Sequence, residues 1–180
     1  MRVLCLLAVW ALPAQAFEID YPALFDHHAA EVQQATPDRR ILELPGPVIV
    51  TDYNGMYTAT DQSSWGAAGC AIDRVFEIAA AVQLCPETLG DADRESLSRL
   101  VVEAAAFYAA NTFPPLGAGE LPAFLDTALA SRRAAIGAGI CGDPSAPWTG
   151  FAAYLASGPG RARMAQVFET PRLPVMHPCP

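Results

Sequence analysis

The stretch VIVTDYNGMYTATD, residues 48–61, predicts a β-hairpin. Two runs of residues that favour strands flank Asn54-Gly55, and both positions of a two-residue hairpin turn need the positive φ that asparagine and glycine tolerate best. Because the turn fixes the register, Tyr53 is expected opposite Met56. One face of the hairpin should then carry Val48, Val50, Tyr57 and Ala59, with Asp52 and Asp61 at its two ends.

The segments before the hairpin extend it into a small mixed domain. Residues 41–44 (ILEL) favour a strand, and Pro45-Gly46 directly after them favours a turn, so a third strand is expected. Further upstream, residues 20–35 contain apolar positions at helical spacing and predict a first helix.

After Trp65 the apolar residues recur at helical spacing. Three long helices and two shorter ones are predicted, over 70–84, 91–113, 120–139, 147–156 and 160–169. The proline-rich ending, 171–180, is expected to form an extended tail pinned by a disulfide. The predicted fold is therefore α+β, with residues 17–170 as one domain. In it, a small antiparallel hairpin or three-stranded meander packs on a bundle of about five helices with two disulfides.

The first sixteen residues have the features of a secretory signal peptide. Arg2 precedes an apolar run, and small residues at Ala14 and Ala16 predict cleavage between Ala16 and Phe17. The apolar run is too short for a permanent membrane-spanning helix, so no stable membrane insertion is expected. The sequence therefore predicts a periplasmic or secreted protein.

The charge balance excludes several classes of function. The chain has 11 basic residues, all of them arginine, against 19 acidic residues, and its formal net charge is −8. Without a basic stripe, binding to nucleic acid is not expected. Without lysine, neither Schiff-base chemistry nor a phosphate-binding loop is available. No cofactor is predicted.

Four cysteines remain after signal-peptide removal, and an even number in an exported chain predicts two disulfides. Cys70 and Cys85 flank a predicted helix of about 22 Å, whereas a disulfide needs Cα atoms within about 7 Å. These two residues should therefore not pair. The two helices that follow Cys85 form an antiparallel hairpin that brings Cys141 back beside it. The predicted pairs are Cys85–Cys141 and Cys70–Cys179.

Histidines and acidic residues near the N-terminus are candidate ligands for a metal ion. His27 and Glu31 are four positions apart on the predicted helix, and distant His177 offers a further ligand. The spacing matches no known metal motif, and an ordinary surface pair between His27 and Glu31 explains it better. The sequence therefore predicts no metal site.

Two sets of residues within or just after residues 48–61 are candidates for catalysis. Ser63 and Ser64 lack a nucleophile-elbow pattern and are better explained as N-caps of the next helix. Asp52 and Asp61 could act as a general acid/base pair on a glycan or peptide bond. Acidic residues at strand ends are, however, usually turn formers.

The other face of the hairpin predicts a recognition surface. Ile49, Tyr53 and Met56 should be exposed there beside threonines, a composition found at interfaces. Trp65 and Trp148 are expected to lie in the core or to line a groove. The leading hypothesis is a non-catalytic periplasmic binding or interaction module, whose partner is a protein or a small ligand. The alternative is a small periplasmic hydrolase that uses Asp52 and Asp61.

Overall fold

A computed structural model describes residues 18–142 and 145–179. The predicted signal peptide, residues 1–16, and its cleavage site at Phe17 lie outside the described residues. Within them the fold is α+β, as predicted, with six α-helices and one four-stranded antiparallel sheet. No helix in these two ranges is long and apolar enough to cross a membrane.

The sheet is a meander with strand order β1-β2-β3-β4. Its strands are β1 (Gln33–Thr36), β2 (Arg39–Leu44), β3 (Val48–Tyr53) and β4 (Met56–Asp61). Tyr53 pairs with Met56, so the predicted hairpin register is confirmed. Both turn residues have positive φ, 50° at Asn54 and 85° at Gly55. The predicted turn between β2 and β3 is also present.

One strand was predicted as helix. Residues 20–35 were expected to form one helix, but α1 covers only Tyr21–His27, and the sheet gains β1 as its fourth strand. All four residues of β1 are exposed, so no buried face marks this strand in the sequence. Hydrogen bonding to the free edge of β2 decides its conformation, because tertiary pairing overrides a weak local preference for helix.

The remaining helices match the predicted segments to within a few residues. They are α2 (Ala68–Leu84), α3 (Asp91–Asn111), α4 (Leu121–Ile136), α5 (Pro147–Ala156) and α6 (Gly158–Phe168). Their apolar faces meet in one large core, in which Ile72, Phe76, Leu100 and Leu155 are almost fully buried. A second, smaller core lies under the sheet and contains Leu24, Phe25, Leu42, Val48 and Val50.

The tail after α6 is extended and packs into the molecule. Leu173 and Val175 belong to the core under the sheet. The Gly69 amide at the start of α2 donates to the Val175 carbonyl at 3.1 Å. A Cβ atom at position 69 would lie 2.4 Å from the Pro174 carbonyl oxygen, so only glycine allows this approach. The tail thereby joins the sheet to the helices.

Two disulfides brace this arrangement, and they are the predicted pairs. Cys70 bonds Cys179 with a Cα separation of 5.6 Å, which fastens the tail to α2. Cys85 bonds Cys141 with a Cα separation of 5.4 Å, which closes the base of the hairpin formed by α3 and α4. Each bond links segments that are far apart in sequence, and such cross-links stabilise the folded state by restricting the unfolded chain.

Candidate functional site

Asp52 is a structural anchor for the hairpin turn. It is buried in β3, and its carboxylate accepts hydrogen bonds from Arg40 Nε at 2.9 Å and from the Gly55 amide at 2.7 Å. Desolvation alone would raise the pKa of this carboxyl. The hydrogen bonds from Arg40 and Gly55 outweigh desolvation and hold the pKa below its ordinary value. The group is therefore ionised at neutral pH and is engaged in holding the turn.

Asp61 is a second anchor, at the opposite end of the hairpin. Its Oδ2 atom accepts from Arg172 Nε at 2.6 Å and from the Ala68 amide at 3.2 Å. Its Oδ1 atom accepts from the Ser63 amide at 2.8 Å. Both charged side chains are almost completely inaccessible to solvent, and a buried ion pair is tolerated only with such additional hydrogen bonds.

The two aspartates do not form a common site. Asp61 lies opposite Val48, which is four positions from Asp52 along β3. At a rise of ~3.4 Å per residue the two positions are about 14 Å apart. Paired carboxylates that act on one glycosidic bond are separated by roughly 5 to 10 Å. The geometry therefore favours a structural role for each.

Asp61, rather than a serine, caps the helix that follows the hairpin. The N-cap position of α2 is Ala67, and no side chain of that residue bonds the helix. The Asp61 carboxylate instead reaches the first-turn amide of Ala68. The Ser63 hydroxyl accepts from the Trp65 amide at 3.2 Å, within the loop before the helix. The predicted serine N-cap is therefore wrong, because the loop places a longer-range carboxylate at the helix end.

The weak metal candidates do not come together. His28, and not His27, contacts Glu31, at 3.3 Å, while the His27 ring packs against Phe113. His177 lies in the tail beside β4. In residues 18–142 and 145–179, the one group of three potential ligands close enough to share an ion contains Cys85 and Cys141, whose sulfur atoms are joined to each other.

The three side chains predicted to form a recognition surface lie on the outer face of the sheet. Tyr53 is 45% exposed and Met56 is 65% exposed, and they flank the hairpin turn. Ile49, which was expected to be exposed, is half-buried near the start of β3. These side chains share a face, as the register requires.

A different feature, which we call the aromatic groove, has the shape of a ligand site. It is a cleft of about 300 Å³ between the start of α2 and helices α5 and α6. Its rim includes Trp65, Phe151 and Tyr154, which are 39%, 38% and 41% exposed. Its floor is apolar and includes Ala67, Ala71, Leu155, Met164 and Val167. This volume is at the lower end of the range for sites that bind small organic molecules.

One wall of the aromatic groove is the loop that carries Trp65. The Arg163 guanidinium lies 4.5 Å from the centre of the Trp65 ring, and its Nη2 atom donates to the Trp65 carbonyl at 3.2 Å. A second arginine, Arg172, donates to the Gly66 carbonyl at 3.1 Å and to the Val167 carbonyl at 2.7 Å. The Asp61–Arg172 pair therefore links the Trp65 loop to the end of α6.

The opposite wall is helix α5. Phe151 and Tyr154 are three positions apart, so they lie on the same face of this helix, with ring centroids 6.1 Å apart. Helix α6 follows after Ser157, whose side chain accepts from the Gly160 amide. A Cβ atom on Gly160 would overlap the Tyr154 carbonyl oxygen. The glycine therefore allows the close turn between α5 and α6 that forms this side of the groove.

Two charged residues of α2 also border the groove, and both have partners. Asp73 forms an ion pair with Arg132 of α4. Arg74 pairs with Glu77 one turn later on the same helix. Arg163 contacts no carboxylate within the described parts of the chain. The groove therefore combines aromatic and apolar walls with one arginine that lacks an acidic partner.

Sequence reasoning anticipated only part of this site. Trp65 was expected to lie in the core or to line a groove, and it does line one. The three-residue spacing of Phe151 and Tyr154 on a predicted helix also indicates that these two side chains share a face. That spacing does not reveal which surface the pair would face, because the groove is assembled from three separate segments.

No known protein family, curated protein or solved structure matches this chain.

Proposed function

We propose that this chain is a non-catalytic binding module of the periplasm or extracellular medium, and that its ligand occupies the aromatic groove. The main support for this proposal is that the side chains of Trp65, Phe151 and Tyr154 surround a cleft with an apolar floor. Isolated exposed apolar side chains are ordinary, but a concave group of them favours ligand binding.

Two further features support a binding role. Cys70 and Cys179 line the groove and are joined by a disulfide. Arg172 of the buried ion pair holds the carbonyls of Gly66 and Val167, which also line the groove. A site held in this way loses little conformational freedom when a ligand enters, and preorganisation of this kind increases affinity. The disulfides are also compatible with an exported protein.

The hydrolase alternative receives less support. A carboxylate pair requires two groups that reach the same bond, and Asp52 and Asp61 stand at opposite ends of the hairpin with their oxygens already hydrogen-bonded. Replacing both by asparagine would test it directly. Loss of a measured hydrolytic activity without loss of fold would favour that alternative over binding.

A titration with a neutral apolar dye tests the groove. The fluorescence of N-phenyl-1-naphthylamine rises when the dye leaves water for an apolar site. The mature protein should bind it, and Phe151→Ala with Tyr154→Ala should weaken binding at least tenfold, since the substitutions remove one wall. The matched control is Tyr53→Ala with Met56→Ala, which truncates two exposed apolar residues on the sheet. Equal binding by the wild type and the groove variant would overturn the proposal.

A further inference from the structure

We infer that the ligand of the aromatic groove is a small aromatic carboxylate, bound with its carboxylate on Arg163 and its ring among the aromatic side chains. This inference rests on the proposed function, because it names the ligand class of the same groove. The inference is based on charge complementarity, on the size of the groove and on the chemistry of its walls.

Arg163 differs from the other arginines around the groove. Arg74 and Arg132 each form an ion pair with a carboxylate of α2, and Arg172 is buried against Asp61. Arg163 has as partners the ring and the carbonyl of Trp65, neither of which carries a negative charge. Among the described arginines near the groove, Arg163 is therefore the one whose charge no carboxylate neutralises.

The contacts of Arg163 hold it in place for a ligand. Stacking on an indole ring and a hydrogen bond to the Trp65 carbonyl fix the position of the guanidinium without neutralising it. A guanidinium has five N–H groups in a planar fork that matches a carboxylate, and the Trp65 carbonyl uses one of its nitrogens. The remaining donors can therefore bind a carboxylate at little conformational cost.

The walls and the volume define the rest of the ligand. The side chains of Trp65, Phe151 and Tyr154 offer ring surfaces against which an aromatic group packs in offset or edge-to-face geometry. A cleft of about 300 Å³ holds one small molecule rather than a folded segment of a protein. The acidic residue at the rim, Asp73, is paired with Arg132 and so opposes an anion less than a free carboxylate would.

A matched pair of ligands tests this inference by isothermal titration calorimetry. 3-Phenylpropanoate and 3-phenylpropanamide have the same shape and differ in charge. We expect the mature protein to bind the carboxylate at least tenfold more tightly than the amide. Arg163→Gln should reduce that ratio to about one, and Arg163→Lys, which keeps the charge without the fork, should retain part of it.

The control is Arg39→Gln, which removes an exposed arginine of β2 outside the groove and should leave the ratio unchanged. Circular dichroism and thermal melting of each variant establish that it is folded. Equal binding of acid and amide, or an unchanged ratio in Arg163→Gln, would overturn the carboxylate inference. Binding of the neutral dye without binding of either phenyl ligand would also overturn the carboxylate inference. In that case the groove would still be a binding site. Failure of the dye as well would overturn the proposed function.

Discussion

Arg172 Nε donates to Asp61 Oδ2 at 2.6 Å, and both side chains are almost completely buried although 111 positions separate them in sequence. The remaining donors of this arginine reach the carbonyls of Gly66, Val167 and Thr170. One guanidinium thus connects the end of β4, the Trp65 loop and the end of α6. Two of the segments that line the groove, the Trp65 loop and α6, are thereby held together.

Breaking the Asp61–Arg172 pair should therefore lower the free energy of unfolding and weaken ligand binding. Arg172→Ala leaves the Asp61 carboxylate buried without its cation, and we expect the free energy of unfolding to fall by about 3 to 5 kcal/mol. Urea denaturation measures this change. Arg99→Gln is the control, because its pair with Glu95 is exposed and should be worth less than about 1 kcal/mol. Similar losses in both variants would contradict the role assigned to Arg172.

Substitution by alanine should have opposite effects on stability at two helical glycines, because the tail crowds Gly69 and nothing crowds Gly150. Gly69→Ala places a Cβ atom 2.4 Å from the Pro174 carbonyl oxygen and should destabilise the protein by about 1 to 3 kcal/mol. Gly150→Ala on α5 meets no atom within 4 Å and should stabilise it by about 0.5 to 1 kcal/mol. Chemical denaturation of both variants checks the signs. Stabilisation by Gly69→Ala would mean that the tail does not pack against α2.

The lowered pKa of Asp52 predicts that the protein loses stability as the pH falls. Its pKa in the folded protein lies below its ordinary value, because the bonds from Arg40 and Gly55 outweigh desolvation. The unfolded chain therefore takes up a proton first as the pH falls, and the stabilisation present at pH 7 is lost progressively below about pH 5. The stability difference between the wild type and Asp52→Asn should shrink over this interval. A stability difference that does not change as the pH falls would contradict this assignment.

The hairpin tip remains a predicted interaction surface, separate from the groove. Tyr53→Ala with Met56→Ala should weaken capture of a partner protein from periplasmic extract, while the melting temperature changes little because both side chains are exposed. The groove variant with Phe151→Ala and Tyr154→Ala serves as the comparison, since it should keep any partner held by the hairpin. Equal capture by all three proteins would contradict a role for Tyr53 and Met56.

Local signals predicted the hairpin and the helices well. Asn54-Gly55 determines its own turn and therefore the register of β3 and β4, and the helical segments carry broad apolar faces. The strand β1 was not predicted, because its residues are exposed and its conformation depends on β2. The groove was not predicted either. Trp65, Phe151 and Arg163 lie on three separate segments. Contacts such as those of Arg172 and Gly160 hold these segments together, and no periodicity in the sequence encodes such contacts.

The burial of the tail determines the order in which the molecule is completed. A hairpin with a two-residue turn closes within microseconds, so β3 and β4 are able to pair early in folding. The apolar face of that pair packs against Leu173 and Val175, which lie far along the chain, and contacts between distant segments form slowly. Until the tail docks, part of the apolar face of the sheet is exposed. Aggregation then competes with folding, and a chaperone that covers this face would raise the yield of native protein.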